Sequence, residues 1–247
     1  MRRLLLAVAV LLTFGGVAHA ADPDALWKIV SEKCLPDERQ FGKPSPCAKV
    51  EFDAGYVILK DQVGDTQYLL MPTAKVTGIE DPQVLADNAP DYMALAWGER
   101  RLVVAAAKHD LPREDLSVAI NSAHGRTQNQ LHIHIDCVAP AVRDAIAKNI
   151  AAIGDKWAPF PEPLHGHPYR ALWLPNDAFA DNPFVMIADG VAGARQAMDK
   201  ETLVVVGAIR PGGVPGMVLL EGEADAATGD NGSGEELQDH SCALAKQ

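Results

Sequence analysis

Two histidines one residue apart, His132 and His134, lie in Gln130-Leu131-His132-Ile133-His134-Ile135-Asp136, just after Asn121-Ser122-Ala123-His124-Gly125-Arg126-Thr127-Gln128-Asn129. On an extended strand, successive side chains point to opposite faces. Gln130, His132 and His134 therefore share one face, and Leu131, Ile133 and Ile135 the other. Imidazole is a nucleophile near neutral pH because much of it is uncharged, and a neighbour that fixes its tautomer aims one nitrogen at an electrophile. Phosphorus is a natural target here. Gly125 permits a tight turn whose backbone amides, with Arg126 and the Thr127 hydroxyl, can hold a phosphate. Alternating histidines also occur on the wet face of ordinary strands. The pair alone therefore decides nothing, and the flanking stretch carries the inference.

The charge balance narrows the partners. With 22 basic against 33 acidic residues the chain carries a net charge of -11, which argues against nucleic acid as a general partner. A phosphate-bearing substrate then needs local donors, for which Arg126, the nearby amides, Lys60 and Lys75 are candidates. Each lysine reads equally as a solvated surface charge. The length of 247 residues and 48% hydrophobic content support a sizeable core. Residues 1–20 combine a basic start (Met1-Arg2-Arg3), an apolar run from Leu4 to Val17 and Ala18-His19-Ala20. That pattern predicts a secretory signal or an uncleaved membrane anchor, followed by one domain over 21–247 whose histidine-bearing half spans about 50–140.

Four cysteines in an exported chain point to two disulfides, and three pairings are open. Easy closure of a short loop favours Cys34 with Cys47, which leaves Cys137 for Cys242. The four are too widely spaced for the close pairs of a zinc site.

Several elements must position the histidines. Leu26, Ile29, Val30 and Cys34 recur at helical spacing and predict a short helix leading into a Pro-rich loop. Residues 55–60 and 67–71 read as a hairpin. Residues 91–108 read as one long helix started at Pro90-Asp91, and 116–120 as a strand leading to Asn121. Beyond Pro140 come a helix to Ile153, then a loop in which His165 and His167 lie among prolines and read as surface residues. The second half reads as a strand at 184–188, a helix near 194–198, and strands at 203–206 and 217–220, loosely echoing the first. Residues 225–234 read as a flexible loop before a last helix at 235–242. His124 is expected to be exposed, and His109 and His240 show no partner in the sequence.

Over Asn121 to Asp136 the chain resembles the histidine-triad superfamily of nucleotide hydrolases and transferases, in which Asn, Gly-x-Ser/Thr and alternating histidines occur at this spacing. That resemblance implies an α+β fold with a mainly antiparallel sheet and packed helices, and the echo in the second half suggests a degenerate duplication of it. It puts His132 in the place of the nucleophile and His134 in that of the third histidine, with Gln130 where most members have the first. More of the chain, including Gly55 to Asp61, Gln67 to Thr73, Ala119 to His134, Phe184-Val185-Met186 and Glu235 to Cys242, resembles the bacterial CDP-diacylglycerol pyrophosphatase family. This implies hydrolysis of CDP-diacylglycerol to CMP and phosphatidate through a nucleotidyl-His132 intermediate, at the periplasmic face of the inner membrane, without a metal or other cofactor. His134 and Gln130 would then donate to nonbridging oxygens, and Asn121, Arg126, Thr127 and Gln128 would hold phosphate or ribose.

Two other readings are expected to behave differently. A metalloenzyme would use His132, His134 and Asp136 as ligands. A non-catalytic nucleotide- or lipid-binding protein would keep the Asn121 to Thr127 turn without needing His132.

Overall fold

In the computed structural model, which describes residues 22–179 and 181–246, nine strands form one sheet in which every neighbouring pair is antiparallel. Helix α1 (Ala25–Ile29) passes through a π-helical turn into α2 (Leu35–Phe41). Then come β1 (Lys49–Glu51), β2 (Tyr56–Lys60), β3 (Tyr68–Pro72), α3 (Tyr92–Gly98), α4 (Arg101–Ala107), β4 (Leu116–Ile120) and β5 (Ile133–Cys137). The second half adds α5 (Pro140–Asn149), β6 (Ala158–Pro159), β7 (Arg170–Pro175), α6 (Pro183–Gly190), β8 (Glu201–Arg210) and β9 (Val214–Glu223). The expected α+β class is observed. No helix among the described residues is long and apolar enough to cross a membrane. The signal or anchor expected at 1–20 lies outside the described residues.

The strand order is β1-β2-β3-β5-β4-β8-β9-β7-β6. Outward from the β4/β8 seam, β4-β5-β3-β2 on one side is matched by β8-β9-β7-β6 on the other. Hairpin, helix, hairpin therefore occurs twice, and the internal repeat glimpsed in the sequence is present in the topology.

Each face of the sheet has its own cover. On one, Ile58, Leu70, Val118, Ile133, Ile135 and Val205 pack with Met93, Trp97 and Val103 of α3 and α4 and with Phe184 and Ile187 of α6. The opposite face carries two separate clusters. Val57, Leu59, Leu69 and Met71 meet Val30, Cys34 and Leu35 of the N-terminal helices, while Ala119, Val204, Val206 and Val218 meet Val142 and Ile146 of α5. Directly opposed residues of antiparallel strands share a face. His134 pairs with Leu69 on one side and Ala119 on the other, so it sits in the seam between the two clusters.

Several expected elements differ. The first helix continues to Phe41, and the π turn at Val30–Cys34 precedes Pro36, where a regular helix would lose a hydrogen bond and clash. The long helix expected over 91–108 breaks after Gly98, a poor helix former, though Asp91 does cap it by accepting from the Ala94 amide at 2.9 Å. Residues 184–188 are helical in α6, because Asn182 caps Phe184 and Pro183 presets the first turn. The strand expected there is instead β7, which begins two residues after Pro168. The helices at 194–198 and 235–242 are replaced by 3-10 turns at Ala194–Gln196, Gly234–Leu237 and Ala243–Lys246. The loop read as flexible is docked: Asp230 and Gly232 are buried, and the Gly232 carbonyl accepts from the Ser122 amide at 2.9 Å. Both expected disulfides, Cys34–Cys47 and Cys137–Cys242, are formed.

Candidate active site

Ile133 is the first ladder residue of β5, so Gln130 and His132 lie on an extended lead-in ahead of the strand. The expected alternation nevertheless holds, since Leu131, Ile133 and Ile135 are fully buried in the helix-covered core. Their burial fixes which way the alternate residues face. His132 and His134 are only 8% and 5% exposed, with ring centroids 5.0 Å apart.

The hydrogen bonds fix the His132 tautomer and favour one at His134, whose Nδ1 also lies 3.3 Å from Glu235 Oε1. His132 Nδ1 lies 2.6 Å from the Gln130 carbonyl oxygen. A carbonyl can only accept, so Nδ1 carries the proton and Nε2 is left with its lone pair. Nε2 has no hydrogen-bond partner among the described residues. Burial holds the His132 pKa below the usual value, against the opposing pull of the Gln130 carbonyl and the Glu235 charge, so the ring stays neutral. At His134, the Gln67 side-chain amide donates to Nδ1 at 2.8 Å and to Glu235 Oε1 at 3.0 Å. Nδ1 therefore accepts, and Nε2 carries a hydrogen that is buried and unpaired among the described residues. Burial pushes the His134 pKa down to about 3.

Behind His134 is a chain of charges. His240 Nδ1 donates to Asp136 Oδ2 at 2.8 Å, and its Nε2 lies 3.2 Å from Glu235 Oε1. Hydrogen bonds to Asp136 and Glu235 raise the His240 pKa to about 10. Burial works to raise the Glu235 carboxyl, but His240, His134, Gln67 and Asn121 overcome it and hold Glu235 well below the carboxylate range. Asp136 Oδ1 accepts from the Thr66 hydroxyl at 2.6 Å and from the Cys137 amide at 2.8 Å. Both Asp136 oxygens are thus engaged, and it does not join His132 and His134 as a ligand set. Among the described residues, no group of three or more His, Cys, Asp or Glu is placed to hold a metal ion.

The other expected site residues are near the histidines but mostly engaged elsewhere. The Gln130 side-chain nitrogen donates to the Pro72 and Ala74 carbonyls at 3.1 and 3.0 Å, so it ties β3 to the lead-in and has no hydrogen to spare for a phosphate. Its contribution to His132 is the backbone carbonyl. Asn121 donates to Glu235 Oε2 at 3.2 Å and accepts from the Glu235 amide at 3.0 Å. Arg126 is paired through both Nη atoms with Glu80. Gln128 donates to the Asp22 carbonyl and accepts from the Leu26 amide, stitching the start of the described chain to this turn. The amides of Ser122, Ala123, His124, Gly125 and Asn129 all donate to protein oxygens, while those of Arg126, Thr127 and Gln128 make no hydrogen bond among the described residues. Thr127 is exposed, with no hydrogen bond among the described residues. Lys60 donates to the Asp61 and Gly64 carbonyls, and Lys75 pairs with Asp24. His124 is exposed beside Asp199, and His167 bonds Glu236.

Sequence reasoning missed Gln67, Glu235 and His240. A signal existed for the last. Once Cys137 pairs with Cys242, His240 must lie close to Asp136, the neighbour of Cys137 and a member of the histidine face.

A family model described as CDP-diacylglycerol pyrophosphatase matches residues 21–246. A protein of Yersinia pestis named CDP-diacylglycerol pyrophosphatase is 39% identical over 246 residues, covering 98% of this chain and 94% of the relative.

Proposed function

This chain belongs to the CDP-diacylglycerol pyrophosphatase family, and from that premise we propose that it hydrolyses CDP-diacylglycerol to CMP and phosphatidate by covalent catalysis at His132. The observation that carries the mechanism is the 2.6 Å bond from His132 Nδ1 to the Gln130 carbonyl, which leaves Nε2 as the nucleophilic atom.

In the first step, Nε2 forms a bond to the cytidine-side phosphorus. The bridging P–O bond breaks, and phosphatidate leaves with the bridging oxygen as a phosphate monoester, a good leaving group. Nδ1 keeps its hydrogen, so positive charge develops on the ring, where the Gln130 carbonyl and the Glu235 charge stabilise it. The unpaired Nε2–H of His134 and the free Thr127 hydroxyl are the donors for nonbridging oxygens. In the second step, water attacks the same phosphorus and gives up a proton to solvent as the N–P bond breaks, so that CMP leaves and Nε2 regains its lone pair. Every step uses side chains and water alone, as in the histidine-triad superfamily that the Asn121 to Asp136 stretch resembles.

A membrane setting at the periplasmic face of the inner membrane accords with a lipid-linked substrate and the leader-like residues 1–20. The Asp22 and Pro23 carbonyls are held by Gln128 and Asn129, so the chain following that leader joins the protein beside the catalytic turn.

The test is incubation of the purified protein with CDP-diacylglycerol in excess chelator, comparing wild type with His132→Ala. CMP release by wild type alone supports the reading. Equal release by both variants contradicts the role of His132, and absence of release from wild type contradicts the substrate.

A further inference from the structure

We propose that Glu235 and His240, delivered by the C-terminal segment, are positioning residues of the reaction: they fix the His134 tautomer through Gln67 and supply the negative charge that the His132 intermediate requires. The inference rests on the covalent reading above and adds a segment about 100 residues downstream of the histidine pair.

Three observations converge. First, the Gln67 amide has one nitrogen and two acceptors, His134 Nδ1 at 2.8 Å and Glu235 Oε1 at 3.0 Å. If Gln67 were turned over, its carbonyl oxygen would face the Glu235 carboxylate, so Glu235 forces the amide to donate. The amide in turn forces His134 to accept at Nδ1 and hold its hydrogen on Nε2. A carboxylate that orients a catalytic imidazole is a general device; here it acts through an intervening amide. Second, His240 bridges Asp136 and Glu235 with its two ring nitrogens. Two carboxylates and one imidazolium leave a net charge of one negative unit next to neutral His134, while His132 must become positive during attack. Third, the segment is anchored for this task. The Cys137–Cys242 disulfide lies beside Asp136 and His240, Glu235 is clamped by Asn121 from both side chain and backbone, and the Asp65 amide donates to the His240 carbonyl at 3.2 Å.

The groups facing this chain account for its electrostatics. Glu235 meets His134, His240, Gln67 and Asn121; His240 meets Asp136, Glu235 and the nearby Asp239 and His134; Asp61 adds a negative charge toward His132, and Arg126 a positive one matched by Glu80. Without His240, Asp136 and Glu235 would face each other as uncompensated carboxylates and one would take up a proton. A protonated Glu235 no longer compels Gln67 to donate.

The experiment follows CMP release and label on His132 for wild type, Glu235→Gln, Glu235→Asp and His240→Gln, with kcat and KM measured across pH. Glu235→Gln is expected to lower kcat by about 100-fold with KM within about threefold, and Glu235→Asp to recover part of the loss. His240→Gln is expected to move the acidic limb of the kcat profile upward, as Glu235 begins to titrate in the working range. A role in folding alone would lower yield or Tm and leave the profile in place, which would overturn the proposal. Because a variant can fail to fold, ¹⁵N-histidine NMR of wild type provides a second reading: His240 protonated on both nitrogens at pH 8, and His134 protonated on Nε2 only. A neutral His240, or a proton on His134 Nδ1, would also overturn it. Failure of wild type to turn over CDP-diacylglycerol would count against the function proposed above, independently of these results.

Discussion

His132 Nδ1 and the Gln130 carbonyl oxygen lie 2.6 Å apart, and this one contact fixes which nitrogen of the ring is free for attack. The partner is backbone, so the contact survives whatever side chain occupies position 130. The departure at Gln130 from a histidine therefore leaves the His132 contact intact, while its amide anchors the Pro72 and Ala74 carbonyls.

Gln130→Ala separates these two roles. Removing the amide leaves two carbonyls short of a partner and is expected to lower stability by about 2 kcal/mol. Activity should persist within roughly tenfold of wild type, in contrast to the complete loss expected of His132→Ala. Urea unfolding alongside steady-state kinetics checks both, and loss of activity as deep as that of His132→Ala would show that the side chain itself takes part.

Arg126 and Glu80 should behave as a coupled pair. Each single change, Arg126→Met or Glu80→Gln, leaves its partner without a counter-charge in a half-buried setting, whereas the double change removes both charges. A double-mutant cycle is expected to return a coupling of about 2 kcal/mol in stability. Additive losses would mean that the pair is not an energetic unit. Gly78→Ala should weaken the same contact, since a Cβ there would lie 2.5 Å from Arg126 Nη1.

Stability should depend on pH with opposite slopes on either side of neutrality. His240, raised from 6.5 to about 10, contributes stability that is complete below pH 6.5 and lost as pH rises toward 10. His134, lowered from 6.5 to about 3, binds fewer protons folded than unfolded between those values, so stability falls as pH drops through that window. The depressed carboxyl of Glu235 adds to the acid loss below the ordinary carboxylate range. Urea midpoints measured from pH 4 to 10 should peak near neutrality, and His240→Gln should flatten the alkaline side. An unchanged alkaline slope in that variant would remove His240 from the account.

The Cys137–Cys242 bridge closes a separation of 105 residues, so its loss should cost about 5 kcal/mol on the chain-entropy model. Paired substitution to serine is expected to lower Tm and also to reduce kcat, because the same residues that carry the bridge hold His240 against Asp136. Full activity in a destabilised double variant would uncouple the bridge from the site.

Much of this arrangement was legible in the sequence. Strict alternation from Leu131 to Ile135 revealed the two faces because strand periodicity is local and burial on one side enforces it. The hairpin at β2 and β3, the strand at β4 and the Cys34–Cys47 bridge followed from equally local patterns, and Cys137–Cys242 was the pair that this bridge left over. The helix α6 was misread because a short apolar run fits a strand or a buried helix alike, and only the Asn182-Pro183 start distinguishes them. The protein partners of the expected substrate-binding side chains were hidden for a different reason. Asn121, Arg126 and Gln128 have the right chemistry for phosphate, but their partners Glu235, Glu80 and Asp22 are supplied by tertiary structure, between 46 and 114 residues away. Glu235 and His240 were hidden in the same way, except for the hint from Cys242.

The covalent role of His132 is tested by quenching a single turnover with cytidine-labelled CDP-diacylglycerol under alkaline conditions, where a phosphoramidate survives, and locating the label by peptide mass spectrometry. Covalent catalysis at His132 predicts a cytidine-monophosphoryl group on that residue, formed as phosphatidate appears and lost as CMP appears. Label on His134 or another residue, or turnover in which water attacks without any labelled peptide at the earliest times, would contradict it.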